Sequence, residues 1–166
     1  MVETGPIAIP RPIVLGTDFG PASEAAERAA IAWAAKANVD LVVVHAIDSR
    51  RLRLPGGLWR ARVDQVRAGR ERKAGELVAV ARAAGVSARI LIWSGEPASC
   101  VVEAAAAEGA ERIFVGSHRR GRIGQAINGT ISQAIVAQAG CPVEVVAVDR
   151  PASDRPGSER PVVNGT

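Results

Sequence analysis

A glycine- and arginine-rich segment in the C-terminal half of the chain has residues suited to phosphate binding. It follows the apolar run that ends at Val115, begins at Gly116, and leads to Gly129 and Thr130 at the start of a helical pattern. Glycine lets a backbone approach a ligand closely, and the N–H groups at a helix N-terminus bind anions. A strand, a glycine loop and a helix start with a hydroxyl therefore predict a phosphate site.

Five apolar segments, which alternate with helical patterns, must position this loop. Continuous apolar, β-branched runs are typical of parallel strands covered on both faces. The predicted strands span residues 12–16, 39–46, 87–93, 112–115 and 143–148. The first predicted helix opens at Gly20-Pro21, and the other three span about 63–84, 97–108 and 130–139. Residues 49–62 are predicted to form a polar connection before the second helix. The pattern predicts the α/β class: a single doubly wound five-stranded parallel sheet with helices on both faces. Glu144 indicates that the last strand is an edge strand or has a partly exposed face.

The position of a ligand follows from this architecture. In such sheets ligands bind beyond the carboxyl ends of the strands, where the strand order reverses. Three predicted loops emerge there, at residues 16–20, 46–48 and 116–130. If the first and fourth strands are neighbours, Asp18 lies beside the glycine loop and the two loops flank one crevice.

Several short motifs, in this order, resemble the universal stress protein family over about residues 11–149. They are Gly16-Thr17-Asp18-Phe19, Val44-His45-Ala46-Ile47-Asp48, Gly95-Glu96-Pro97, Gly116-Ser117-His118, Gly129-Thr130-Ile131-Ser132 and Cys141-Pro142-Val143. The resemblance implies an adenine nucleotide alpha hydrolase-like fold and a homodimer formed through the strand at Val143–Val148. In the nucleotide-binding branch it also implies ATP or AMP, held by a Gly-x2-Gly-x9-Gly-Ser/Thr motif.

Carried over position by position, the resemblance implies a nucleotide site. Gly116 and Gly129 match the first and last glycines of the motif, and Thr130 matches its hydroxyl residue. Asp18 matches the acidic residue that meets the adenine and ribose end, and Ala46 matches a backbone contact with adenine. The other implied contacts are Gly16, Thr17, Val115, Ile131 and Ser132.

Arg119 stands where the family has its second glycine. If that position needs a positive φ, arginine costs ~1–2 kcal/mol there. If its guanidinium meets phosphate, a charged hydrogen bond contributes ~1.5–3 kcal/mol. A solvated arginine without either effect is the third interpretation. Arg119 therefore leaves open whether this chain belongs to the nucleotide-binding branch or to the branch that works through protein contacts.

Some candidate residues also have structural interpretations. Asp18 could cap the first helix, although Gly20 as the cap would leave its carboxylate for a ligand. Thr130 is useful as a helix cap without any ligand. His45, at a strand end, is expected to be a packed, hydrogen-bonded histidine rather than a catalyst. His118 lies in the loop, where an exposed turn position is favoured over contact with phosphate.

Composition limits the function classes further. The chain has 166 residues, of which 48% are hydrophobic and 3% aromatic, a net charge of +4 and two cysteines. It is predicted to hold one domain at residues 12–149, between an N-terminal extension at 1–11 and a disordered tail at 150–166. No apolar run reaches the ~18–20 residues of a membrane helix, and no secretory signal precedes the domain, so a cytoplasmic protein is expected.

Enzyme chemistry and nucleic-acid binding have weaker support in the sequence. The chain has no Gly-x4-Gly-Lys-Ser/Thr loop, no Gly-x-Ser-x-Gly elbow and no metal-ligand spacing among its histidines and cysteines. We therefore expect no catalytic residue, with slow ATP hydrolysis left open and Mg²⁺ on bound ATP as a further expectation. The arginine-rich segment 50–73 is expected to be a solvated face because only Trp59 interleaves an aromatic side chain.

Overall fold

The computed structural model describes residues 10–48, 59–119 and 129–149. Five strands alternate with four helices in these ranges. The strands are β1 (Ile13–Gly16), β2 (Leu41–Ile47), β3 (Ala88–Ser94), β4 (Arg112–Arg119) and β5 (Val143–Asp149). The helices are α1 (Pro21–Ala37), α2 (Trp59–Ala83), α3 (Pro97–Ala107) and α4 (Thr130–Gln138).

The strands form one parallel sheet in the order β3-β2-β1-β4-β5. The predicted fold class is therefore confirmed, and so is the prediction that the first and fourth strands are neighbours. Leu15 lies opposite Val43 on one side and Phe114 on the other. Glu144 lies on the edge strand β5, as its charge indicated, and forms an ion pair with Arg112 at 3.3 Å.

Alternating side chains of the strands divide the core between the two faces of the sheet. One face packs against α1 and α2, and its central strand residues include Leu15, Val43 and Phe114. The other face packs against α3 and α4, and its central strand residues include Val14 and Val115. Both layers consist mainly of alanine and β-branched or leucine side chains, as the low aromatic content requires.

The helix starts are close to the predicted ones, with one exception. Gly20 is the N-cap of α1 with Pro21 at the first position, because the ring of proline fixes a helical φ and an N1 residue needs no N–H bond. α2 begins at Trp59 rather than at about Val63. The breaking residues Pro55, Gly56 and Gly57 end before it, and the residues 59–62 are compatible with a helix.

Strand β4 differs from its predicted length. It continues to Arg119, so the residues from Gly116 onward that were predicted as loop are paired strand. Gly116 lies opposite Val146 of β5, and Arg119 lies opposite Asp149. The glycine does not interrupt the strand because β5 supplies a partner along this whole length. The phosphate loop therefore starts at least four residues later than the sequence predicted.

Other expectations fall partly or wholly outside the described residues. The predicted tail at 150–166 lies outside them, as does most of the predicted extension. Arg11, at the end of that extension, donates hydrogen bonds to the carbonyl oxygens of Gly109 at 2.6 Å and Ala110 at 3.2 Å. Among the described residues, no helix combines the length and apolarity needed to cross a membrane.

Candidate functional site

A cavity of about 440 Å³ opens at the carboxyl edge of the sheet, between β1 and β4. These two strands are the neighbours at which the chain changes direction through the sheet, which is where open α/β sheets bind ligands. Its lining includes apolar side chains such as Val44, Val101 and Ile135. It also includes hydroxyl groups and the carboxylate of Asp18. The arrangement suits a ligand with a flat apolar part and a polar part.

Most of the residues predicted for the site line this cavity. They are Gly16, Thr17, Asp18, Ala46, Val115, Gly116, Gly129, Thr130, Ile131 and Ser132. The end of β1 with the turn after it, strands β2 and β4, and the start of α4 bring them together from four separate parts of the chain. Arg119 ends β4 opposite Asp149, and its side chain lies outside the described part of the structure. Residues 120–128 of the predicted loop lie outside the described residues.

The N-terminus of α4 points at the cavity without a capping side chain. Gly129 is its N-cap, in an extended conformation with φ −96° and ψ 121°, and among the described residues no side chain forms a capping hydrogen bond there. α3 differs, because the Glu96 carboxylate accepts from the N–H groups of Ala98 and Ser99. The first N–H groups of a helix have no acceptor inside it and carry a partial positive charge. The start of α4 is thus chemically suited to an anion.

Sequence reasoning missed Ser117, which lies on the cavity wall close to this helix start. The residue is 3% exposed, and its Oγ has no hydrogen-bond partner among the described residues. A Cβ on Gly129 would lie 3.2 Å from this Oγ. Ser117 occupies an unspecified position of the glycine motif, so only the alternation along β4, which turns it to the same face as Val115, could have identified it.

Asp18 lines the cavity but also holds the start of α1. Its Oδ1 accepts hydrogen bonds from the Gly20 N–H and the Ser23 hydroxyl, both at 2.8 Å. Burial raises the pKa of Asp18, but the hydrogen bonds from Ser23 and from backbone N–H groups, together with the charge of Arg70, bring the pKa below its ordinary value. The carboxylate is therefore ionised at neutral pH. The Asp18 side chain therefore stabilises the start of α1 and also lines the cavity, so both interpretations apply to it.

A hydrogen-bond network fixes the turn between β1 and α1. Thr17 Oγ1 accepts from the Phe19 N–H at 2.9 Å and donates to Glu27 Oε1 at 2.6 Å. Burial is the largest effect on Glu27 and raises its pKa, while the hydrogen bond from Thr17 opposes the shift. Phe19 has a φ of 58°, in the left-handed region, and its ring lies 5.0 Å from that of His45. This network stabilises the left-handed backbone conformation of Phe19, which residues other than glycine rarely adopt.

His45 is a packed histidine, as the sequence predicted. It is 5% exposed, and its Nδ1 lies 2.8 Å from the carbonyl oxygen of Thr17. Because a carbonyl only accepts, Nδ1 carries the proton and donates. Burial lowers the pKa of His45, and the bond to Thr17 opposes that shift without cancelling it. The side chain is a neutral support for the β1–α1 turn, and it is not among the residues that line the cavity.

Two basic side chains of α2 donate hydrogen bonds to the turn between β1 and α1. Arg70 donates to the carbonyl oxygen of Asp18 at 3.0 Å, and Lys73 donates to that of Phe19 at 3.5 Å. Part of the arginine-rich segment that was predicted to be a solvated face therefore has a structural contact. Its exposed members include Arg67 and Arg72.

Gly116 has a packing role that the sequence did not indicate. A Cβ on this residue would lie 2.9 Å from the Ser23 Cα and closer still to the carbonyl group of Ala22. The first turn of α1 therefore rests directly on the backbone of β4. Glycine is required here for the close approach of a helix, whether or not a ligand is bound.

No metal centre is apparent in the part of the chain that the structure describes, where no three His, Cys, Asp or Glu side chains form a group that could hold an ion. Asp18 is the single carboxylate among the described residues that line the cavity. A divalent ion at this site would thus depend on oxygens of the ligand for most of its coordination.

Curated relatives of this chain were found among universal stress proteins. Universal stress protein Rv2005c of Mycobacterium tuberculosis is 29% identical over 145 residues, which cover 82% of this chain and 48% of the relative. A universal stress protein of Mycolicibacterium smegmatis is 33% identical over 137 residues, which cover 81% of this chain and 45% of the relative. The chain spans about half the length of these relatives.

Solved structures share the fold at low sequence identity. The hypothetical protein MJ0577 has a TM-score of 0.72 at 20% identity, covering 86% of this chain and 100% of that one. A universal stress protein from Archaeoglobus fulgidus in complex with dAMP has a TM-score of 0.60 at 21% identity, covering 83% and 98%. A universal stress protein in complex with cAMP has a TM-score of 0.56 at 22% identity, covering 82% and 96%.

A family model decides the assignment because it extends over most of the chain. The model of the universal stress protein family matches residues 10–147, which include all five strands except the end of β5 and the whole cavity. The motifs that resembled this family in the sequence lie within the match. The chain belongs to the universal stress protein family.

Proposed function

We propose that this chain binds an adenine nucleotide, ATP or AMP, in the cavity between β1 and β4, and that it acts as a nucleotide-dependent regulator rather than as an enzyme. The observation that carries the proposal is the uncapped start of α4 at Gly129, which faces a cavity whose lining includes apolar side chains. A phosphate group fits the helix N-terminus, and a base fits the apolar side chains.

Two further points support this proposal. The structural neighbours from the same family include proteins in complex with dAMP and with cAMP, at TM-scores of 0.60 and 0.56. The residues that the nucleotide-binding branch implies at Asp18, Ala46, Gly129 and Thr130 all line one cavity in this chain.

Calorimetry with AMP, ATP and cyclic AMP tests the proposal on the full chain. We expect the wild type to bind AMP with a Kd in the micromolar range. Gly129→Val should abolish binding, since its Cβ would lie 2.6 Å from the Ser132 Oγ and its methyl groups would cover the start of α4. The fold should remain, because this position borders an open cavity.

Gly75→Val is the matched control for this experiment. Gly75 lies on the exposed side of α2, and a Cβ there meets no atom within 4 Å. This variant should bind AMP as the wild type does. A wild type that releases no heat at millimolar AMP, ATP and cyclic AMP would reject nucleotide binding and favour the branch of the family that acts through protein contacts.

A further inference from the structure

Ser117 is the one buried polar side chain of the described core that lacks a hydrogen bond. Buried hydroxyl groups in folded proteins nearly always have a partner, because losing water without a replacement costs free energy. Ser117 is 3% exposed and its Oγ is buried, yet the residue lines the cavity. An unpaired hydroxyl in such a place indicates that its partner is a bound molecule.

The surroundings of Ser117 define the chemistry of that partner. Its Oγ lies 3.2 Å from the position that a Cβ on Gly129 would take, which places it beside the uncapped N-terminus of α4. This helix has nine residues, so its first-turn N–H groups form a regular donor set. A hydroxyl donor beside the free N–H donors of a helix start matches an anionic oxygen, as on a phosphoryl group.

Ser132 provides an internal comparison. It has the same exposure of 3%, and it also lines the cavity. Its Oγ, however, donates to the carbonyl oxygen of Gly129 at 3.0 Å, so its proton is already used within the protein. Of the two buried serines at this end of the cavity, only Ser117 has its proton available for a ligand.

We propose that the Ser117 hydroxyl is a ligand-binding group of this chain that donates to a phosphoryl oxygen held at the start of α4. The inference rests on the proposed function, since it names a further contact within the same nucleotide site. It adds a residue that the glycine motif leaves unspecified.

The proposal makes opposite predictions for stability and for binding. Ser117→Ala removes a hydroxyl that has no partner in the free protein, so the melting temperature without ligand should stay the same or rise. Ser132→Ala removes a hydrogen bond, so its melting temperature should fall. In calorimetry, Ser117→Ala should bind AMP at least about tenfold more weakly, which corresponds to about 1.4 kcal/mol. Adenosine, which has no phosphate, should bind this variant and the wild type equally.

The outcomes separate this inference from the proposed function. Ser87→Ala, an exposed serine outside the cavity, is the binding control and should match the wild type. If wild type and Ser117→Ala bind AMP equally, the inference is wrong and the proposed function stands. The inference is also wrong, with the proposed function unaffected, if Ser117→Ala weakens the binding of adenosine as much as that of AMP. It is likewise wrong if Ser117→Ala melts well below the wild type. A wild type that binds neither AMP nor inorganic phosphate would reject both.

Discussion

Arg119 is the residue at which this chain departs from the family motif, and its backbone is now defined. It ends β4 in paired, extended conformation opposite Asp149, so it needs no positive φ. The steric interpretation based on a left-handed conformation is therefore wrong. The interpretations as a phosphate contact and as a solvated side chain stay open, because the position of the guanidinium is outside the description.

On the interpretation of Arg119 as a phosphate contact, we predict that Arg119→Gly weakens the binding of AMP, because the substitution removes a cation and relieves no left-handed backbone strain. The loss should be larger at low salt than at high salt, since screening reduces the contribution of an exposed charge. Calorimetry at two salt concentrations measures the effect. Tighter binding by Arg119→Gly would instead identify the arginine as an obstruction.

His45 predicts a pH dependence of stability. Burial lowers its pKa below the ordinary 6.5, so the unfolded chain binds more protons than the folded one in the window just below pH 6.5. The free energy of unfolding should therefore fall as the pH is lowered through that window. In His45→Asn, the amide N–H can replace the bond to Thr17 without titrating, so this part of the decrease should disappear.

Urea unfolding at pH 7.5, 6.5 and 5.5 (values chosen to bracket the ordinary histidine pKa of about 6.5) compares the two proteins. An identical pH dependence in wild type and His45→Asn would show that other groups cause the decrease. Asp18 acts at lower pH, since its pKa lies below the ordinary 3.8 and its contribution is lost only when it becomes protonated.

At the residue scale, the site residues that could be predicted are those whose role follows from their immediate neighbours in the sequence. Gly129 and Thr130 are recognisable because a helix start after a glycine has a fixed pattern, and Asp18 because it follows a buried strand. Ser117 was not recognisable, since a serine in a strand shows its lack of a partner only after its neighbours in α4 are placed. The second role of Asp18, its bond to Ser23, likewise depends on the turn geometry.

At the scale of elements, the contact between α1 and β4 explains a glycine that the sequence assigned to phosphate binding alone. We predict that Gly116→Ala lowers the free energy of unfolding by about 1–3 kcal/mol, the usual cost of overpacking. The added Cβ would press on the backbone of Ala22 and Ser23, which cannot move as a side chain does.

Gly140→Ala is the control for this substitution, since a Cβ there meets no atom within 4 Å. It should change the free energy of unfolding by no more than about 0.5 kcal/mol. Urea denaturation of the two variants and the wild type measures both values. Equal stability of Gly116→Ala and the wild type would contradict the packing role.

The element boundaries show where sequence reasoning is sufficient. The starts of α1 and α3 were predictable because proline follows a suitable cap at Gly20 and Glu96. The end of β4 was not, because glycine and serine have weak strand preference and only pairing with β5 extends the strand. The predicted polar connection at 49–62 extends too far, because α2 already begins at Trp59 and the arginines that follow it are good helix formers.

At the scale of the whole molecule, the strand order accounts for the position of the site. Alternating strands and helices predicted the parallel sheet, and the order β3-β2-β1-β4-β5 brings the loop after β1 to the start of α4. The predicted homodimer through β5 and the cytoplasmic location remain predictions. β5 is an edge strand of the described sheet, which is the position that such a dimer requires.

The most direct test of the central claim is to map the amide chemical shifts of the labelled full chain during titration with AMP. The account predicts saturable changes that are largest at the start of α4, in Thr130, Ile131 and Ser132, and at Ser117 and Ala46 across the cavity. Residues of α2 at the opposite end, near Ala83, should not shift. Changes confined to the exposed basic face of α2, or no saturable change at the start of α4, would contradict it.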